Sequence, residues 1–294
     1  MTTTIGIAGA GNMGTAIARS LQKAGVPVLL LAPTSGISAR HEGFEIVADA
    51  EALAKGSDVV ISALRTGAET AALLPQLLAG AAGKDNFIHI DQGNGAPEVA
   101  RDCAKSWAER GQLFADAPML GPPESLDSGR ARLLVGASDD SLARLKELNL
   151  PYYKDLVHAG GPGQGHMLRQ LLNFMGYGLV ALSAGTIATA SAVGITPTVL
   201  RDGAFGMGLD SGTFQTLLAS AIDKTIPHRP LSLDYISGEY QKMQDAFPSV
   251  EGADLMAATF RDFYALAAGD QGDRIMATAL PSRLEELNSD SASA

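Results

Sequence analysis

The chain has 294 residues, 46% of them hydrophobic and 5% aromatic, with a formal net charge of −10. This length accommodates two domains and a sizeable core. The acidic balance argues against nucleic acid or an anionic membrane as the main partner, since both select a basic face. With Cys103 as the one cysteine, an intramolecular disulfide and a cysteine-based metal centre are excluded, and no metal site is expected.

A short apolar run, 4–8, enters a turn in which Gly9, Gly11 and Gly14 stand at G-x-G-x-x-G spacing, and a helix follows over 15–25. In a dinucleotide site the first glycine permits the tight turn. The second lets backbone approach a pyrophosphate, and the third lets helix and strand pack closely. The helix N-terminus adds N–H groups and the positive end of a dipole. Gly9, Ala10, Gly11, Asn12, Met13 and Gly14 are therefore the expected cofactor contacts, a purely structural turn being the alternative. The second strand, 26–31, ends without the Asp or Glu that would hold an adenosine ribose 2′-hydroxyl. Thr34, Ser35 and Arg40 suit a 2′-phosphate, which favours NADP, with NAD also possible; a solvated polar loop is the alternative reading of these three.

Strands are then predicted at 44–47, 58–64, 86–91, 113–120, 131–136 and 152–158, with helices at 50–55, 68–78, 98–110 and 142–148. The exit of strand 58–64, Leu64-Arg65-Thr66, is placed along the cofactor. Asn94 follows a strand end, where the crevice of such sheets lies. Alternating strands and helices imply a doubly wound, largely parallel sheet, an α/β domain over 1–160.

At the Gly160–Gly165 loop the pattern changes to an all-α domain over 161–294. Its helices are predicted at 166–192, 198–205, 211–220, 234–247, 254–268 and 275–287, and the tail from Ser289 is expected to be disordered. The apolar run 167–200 is interrupted by Arg169, Gln170 and Asn173, which suggests a buried helix rather than a membrane span. No signal-like pattern opens the chain, so a cytoplasmic location is expected.

Four segments resemble the β-hydroxyacid dehydrogenase superfamily, which includes 3-hydroxyisobutyrate dehydrogenases and, more distantly, imine reductases. Gly9-Ala10-Gly11-Asn12-Met13-Gly14 is similar to its G-x-G-x-M-G, and Phe114-Ala115-Asp116-Ala117-Pro118 to its F-L-D-A-P. The Gly160–Gly165 loop with Asn173 resembles its G-x-x-G-x-G…K-x-x-x-N, and Gly269-Asp270-Gln271-Gly272-Asp273 a glycine-and-aspartate segment near its C-terminus. The resemblance implies an N-terminal Rossmann domain joined by a long helix to an all-α domain. It implies hydride transfer at a nicotinamide, a small-molecule substrate, and a homodimer or homotetramer assembled through the helical domain.

The departures bear on the chemistry. The family's catalytic lysine falls at Arg169. Its D-x-S-T-x-S-P segment has Gly93 and Asn94 in place of serine and threonine, and the serine after D-A-P-V becomes Leu120, beside Gly121. A buried lysine can exchange a proton near working pH; arginine keeps its proton but can stabilise an oxyanion or clamp a carboxylate. Arg169 is thus read as the clamp and Asn173 as its hydrogen-bonding neighbour. Tyr177, Tyr240 or His166 is read as the proton donor. Asn94, Leu120, Gly121, Arg169 and Asn173 are the substrate-binding candidates. Each has a plainer reading: Arg169 paired with a surface acid, His166 a satisfied helix-start histidine, the tyrosines core residues. Two further functions stay open, an imine reductase and a dinucleotide-binding sensor without catalysis.

Overall fold

The computed structural model describes residues 3–32, 43–120, 125–126, 128–223, 231–246 and 250–292. It divides into two compact units, Met1–Arg169 and Gln170–Ala294.

In the first unit, β1 (Ile5–Ala8), α1 (Asn12–Lys23), β2 (Val28–Leu31), β3 (Glu45–Val47), α2 (Ala50–Gly56) and β4 (Val59–Ser62) are followed by α3 (Gly67–Gly80), β5 (Ile88–Asp91) and α4 (Pro97–Ala108). Then come β6 (Leu113–Asp116), β7 (Met119–Leu120), β8 (Ala131–Ala137), α5 (Asp139–Glu147) and β9 (Tyr153–Gly160). The sheet order is β3-β2-β1-β4-β5-β6-β8-β7, with β9 also paired to β8. The six strands β1 to β6 are mutually parallel; β8 runs antiparallel to β6 and β7 and parallel to β9. β1, β4 and β5 are buried at every position, as strands covered on both faces must be. Ile7, Ile61 and Ile90 belong to one core cluster, and Ala8, Val60, Phe87 and Trp107 to another. The strand expected over 113–120 is broken, because Pro118 has no N–H to give a ladder.

The second unit holds most of a long helix, α6 (Gln164–Ala192), then α7 (Pro197–Ala204), α8 (Gly212–Asp223), α9 (Leu233–Ala246), α10 (Glu251–Ala268) and α11 (Leu280–Ala292). Its core gathers Ala184, Ile187, Leu217, Ile236, Tyr240 and Tyr264. The compact units divide inside α6, a few residues beyond the glycine loop, and the start of α6 is hydrogen-bonded to Asp116 of β6. Two expectations are corrected here. α6 is buried along one face only: Ala181, Ala184, Ile187 and Ala188 are inside, while Met175 is 58% and Leu182 62% exposed. The last helix starts at Leu280, after a 3-10 turn at Ala277–Ala279, and continues to Ala292 through the expected tail.

Candidate active site

The three glycines of the first turn differ in what demands them. Gly9 has φ +112°, and a Cβ there would lie 2.7 Å from the Ala63 carbonyl oxygen. A Cβ on Gly14 would overlap the Gly9 carbonyl oxygen. Both follow from the chain's own packing. Gly11 has φ −75°, open to any residue, and a Cβ there would meet nothing within 4 Å. Its missing side chain leaves room for a group from outside, at the position where a dinucleotide's pyrophosphate lies.

The helix behind the turn agrees. α1 has no side-chain cap and no acidic residue in its first turn. α2, α3 and α5 are capped by Asp49, Thr66 and Ser138 and carry acids there. The N-terminal end of α1 is thus kept suited to an anion. Gly9 to Gly14 fit a dinucleotide on these two counts.

The sheet brings further candidates to this end. β1 lies between β2 and β4, where strand order reverses and the crevice of an open α/β sheet forms. The Leu64 side chain lies 3.1 Å from where a Gly9 Cβ would stand, and the Asn94 N–H donates to the Leu64 carbonyl oxygen at 2.9 Å. Leu64 and Asn94 therefore lie beside the glycine turn. Thr66 accepts the Glu69 N–H at 3.2 Å as the cap of α3. Arg65 is held by Glu69, which accepts its backbone N–H and its guanidinium, both at 2.9 Å. The Arg65 backbone N–H is the main cause holding the Glu69 carboxyl below its ordinary pKa. Thr34, Ser35, Arg40 and Gly121 lie outside the described residues, and of Leu120 only its place in β7 opposite Arg132 is described.

Three buried polar residues close neighbouring strands in register: Ser62 on β4, Asp91 on β5 and Asp116 on β6. The Asp116 carboxylate accepts the N–H of Gly163 at 2.7 Å and of His166 at 2.8 Å. A Cβ on Gly165 would lie 2.8 Å from that carboxylate. Gly163 and Gly165 thus let the loop close onto a buried acid and seat the first turn of α6. Burial pushes the Asp116 pKa up, against the pull of His166 and of these N–H groups.

Asp91 anchors a longer chain of bonds. The Trp107 indole N–H donates to His89 Nδ1 at 3.1 Å, and His89 Nε2 lies 2.9 Å from the Ser62 hydroxyl. Ser62 donates to Asp91 Oδ1 at 2.9 Å, and Gly93 N–H donates to the same oxygen at 3.1 Å. Asp91 Oδ2 faces His166 Nε2 at 3.2 Å. Burial raises the Asp91 pKa, but His166, His89 and the Gly93 N–H outweigh it and hold it below the ordinary value. Burial pushes His89 down from 6.5 to about 4. In the sequence Asp91 and Asp116 stand out only as letters of motifs. The signal for both was an acid ending an otherwise apolar strand, which requires compensating partners.

Arg169 makes no ion pair among the described residues, and its buried Nε has no hydrogen-bond partner. The surface-pair reading of Arg169 therefore has no partner acid here. Asn173 is one turn further along α6. Tyr240, a candidate proton donor, is fully buried, and its hydroxyl donates to the Phe174 carbonyl oxygen at 3.0 Å. Its ring packs against Phe174, Phe260 and Tyr264. Tyr177 is half-buried, its ring 6.3 Å from that of Tyr240 and its carbonyl oxygen bonded by the Tyr264 hydroxyl at 2.7 Å. Among the described residues no cluster of three metal-ligating side chains occurs.

Comparison with known proteins agrees with this geometry. Residues 4–151 match the family model described as the NAD binding domain of 6-phosphogluconate dehydrogenase. A 3-hydroxyisobutyrate dehydrogenase of Pseudomonas aeruginosa is 30% identical over 241 residues, which cover 80% of this chain and 80% of that protein. Mitochondrial proteins of the same name are longer relative to the match: the chain spans 62% of the mouse protein and 56% of the human one. Among solved structures, a Mycobacterium tuberculosis 3-hydroxyisobutyrate dehydrogenase with L-serine superposes with a TM-score of 0.82 at 23% identity, covering 97% of this chain and 99% of that one. An imine reductase variant from Myxococcus stipitatus with NAD+ superposes with a TM-score of 0.63 at 19% identity, covering 97% and 100%.

Proposed function

The chain belongs to the β-hydroxyacid dehydrogenase superfamily, and from that premise we propose that it interconverts a small hydroxy acid and its aldehyde or a related carbonyl compound, with Arg169 in place of the usual lysine. It is an NAD(P)-dependent dehydrogenase. The nicotinamide supplies or accepts the hydride. The observation that carries the finer reading is the buried, unpartnered Nε of Arg169. A buried donor without a partner is costly unless a ligand meets it, and a guanidinium suits a carboxylate or a developing alkoxide. Asn173, at i+4 on the same helix, adds a second polar group on that side.

NADP is the cofactor this reading favours, because β2 runs through Leu31 to Ala32 without an acid. The protein acts in the cytoplasm on this reading, as a homodimer or homotetramer through the helical unit. Support for the assembly is the set of exposed apolar side chains Leu182, Phe205, Met207, Leu209, Leu255 and Leu266 in that unit.

The purified chain is tested with NADH and NADPH against 3-hydroxyisobutyrate, L-serine, short aldehydes, 2-oxo and 3-oxo acids and cyclic imines. Turnover of hydroxy acids or their aldehydes is expected, with kcat/KM lowered about 100-fold or more in Arg169→Ala, the scale of losing one oxyanion donor. An Arg169→Ala enzyme within twofold of wild type would refute the clamp. The absence of lysine at position 169 also favours a second reading, an imine reductase. Turnover of cyclic imines alone would establish it, and cofactor binding with no turnover would establish a sensor.

A further inference from the structure

Carbonyl chemistry needs a group that gives or takes a proton, and Arg169 does not let one go. Tyr240 is committed to Phe174. His166 is different. Its side chain is fully buried, its Nε2 faces Asp91, and its Nδ1 has no partner.

The tautomer of His166 is decided at Trp107. An indole N–H can only donate. His89 must therefore accept at Nδ1, so its ring proton is on Nε2 and goes to the Ser62 oxygen. Ser62 has one proton, and it points to Asp91 Oδ1. With Gly93 N–H also on Oδ1, Asp91 is left as a carboxylate accepting at Oδ2. His166 therefore carries a proton on Nε2, so that in the neutral ring Nδ1 presents a lone pair three residues before Arg169. Adjacent turns of α6 thus hold a buried acceptor and a buried donor, both without partners.

Resting on the dehydrogenase reading above, we propose that His166 is the proton-transfer residue of this enzyme, with Asp91 orienting it as the carboxylate of a carboxylate–imidazole pair does. In the oxidation direction the carbinol C–H bond breaks, and its electron pair leaves with the hydride for the oxidised nicotinamide. The O–H bond breaks as the C=O bond forms, and the proton passes through one bridging water to His166 Nδ1. Reduction returns the same proton to the alkoxide. The bridging water reconciles the role with full burial, since a general base works at hydrogen-bond reach or through one water. Asp91 compensates the imidazolium that results.

Two measurements on the full chain test this. 15N-histidine NMR should show His166 and His89 as Nε2–H tautomers with unprotonated Nδ1. His166→Gln keeps an N–H donor for Asp91 and removes the titratable acceptor. It should bind NADPH within twofold of wild type and leave KM within about threefold. Its kcat for the fastest compound of the panel should fall about 100-fold or more. A proton on Nδ1 in the neutral ring overturns the proposal, as does a His166→Gln enzyme whose kcat is within twofold. A wild type that turns over no compound in the panel overturns the dehydrogenase reading and the relay together. Turnover by wild type with an unaffected His166→Gln overturns the relay alone.

Discussion

The bond chain around Asp91 makes stability depend on pH in a window set by His89. Burial lowers the His89 pKa from 6.5 to about 4, against the attraction of Asp91. The folded chain therefore keeps His89 neutral between these values, while the unfolded chain takes up a proton. Stability is unaffected by His89 above pH 6.5 and falls as pH drops from 6.5 to about 4. At about 1.4 kcal/mol per tenfold change, the full loss is on the order of 3 kcal/mol, with a slope of about 1.4 kcal/mol per pH unit inside the window. Asp91, with a lowered pKa, loses its contribution only at more acid pH, so the two are separable. Trp107, the single tryptophan, is buried and bonded to His89, so its fluorescence reports on this unit. Urea unfolding of wild type and His89→Gln, at steps from pH 7 to 4, isolates this histidine from the other four. The variant should lack one proton's share of the slope. Equal slopes in the two proteins would refute the reasoning.

The glycine turn predicts two opposite outcomes. Gly14→Ala should cost about 1–3 kcal/mol through overpacking against the Gly9 carbonyl. Gly11→Ala should stay within about 0.5 kcal/mol of wild type in urea yet weaken NADPH binding at least tenfold by fluorescence titration. If Gly11→Ala binds NADPH normally, the cofactor does not approach that backbone. Tyr240→Phe removes a single hydrogen bond to Phe174 and should lower stability by about 1 kcal/mol with kcat within twofold. A large fall in kcat at unchanged stability would restore Tyr240 as the proton donor.

Much of the first unit was legible because its signals are local. Parallel strands buried on both faces read as apolar runs, and Gly9, Gly11 and Gly14 mark a strand–turn–helix by spacing alone. The helical unit was legible as helices but less so at its ends, where the Ala277–Ala279 turn delays the last helix. The surroundings of Tyr240 are not legible locally, because a tyrosine's burial and the partner of its hydroxyl are set by elements distant in the chain. Thr66 and Arg65, expected along the cofactor, each make a local bond to Glu69 that spacing alone does not reveal.

The polar chain from Trp107 to His166 lay beyond the sequence for a topological reason. Its members come from β4, β5, α4 and the start of α6 and meet only when the parallel strands align Ser62 with Asp91. Sequence by itself determined the residue types: a glycine turn after a strand, acids closing apolar strands, and an arginine at 169 just behind the Gly160–Gly165 loop. Local spacing and hydrophobic pattern suffice for those. Only the tertiary structure decided that Gly11 leaves open space, that the Tyr240 hydroxyl meets a helix carbonyl, and that His166 keeps a buried Nδ1 without a partner. Each depends on which atoms from distant segments lie within about 3–4 Å, the range over which hydrogen bonds and steric exclusion act.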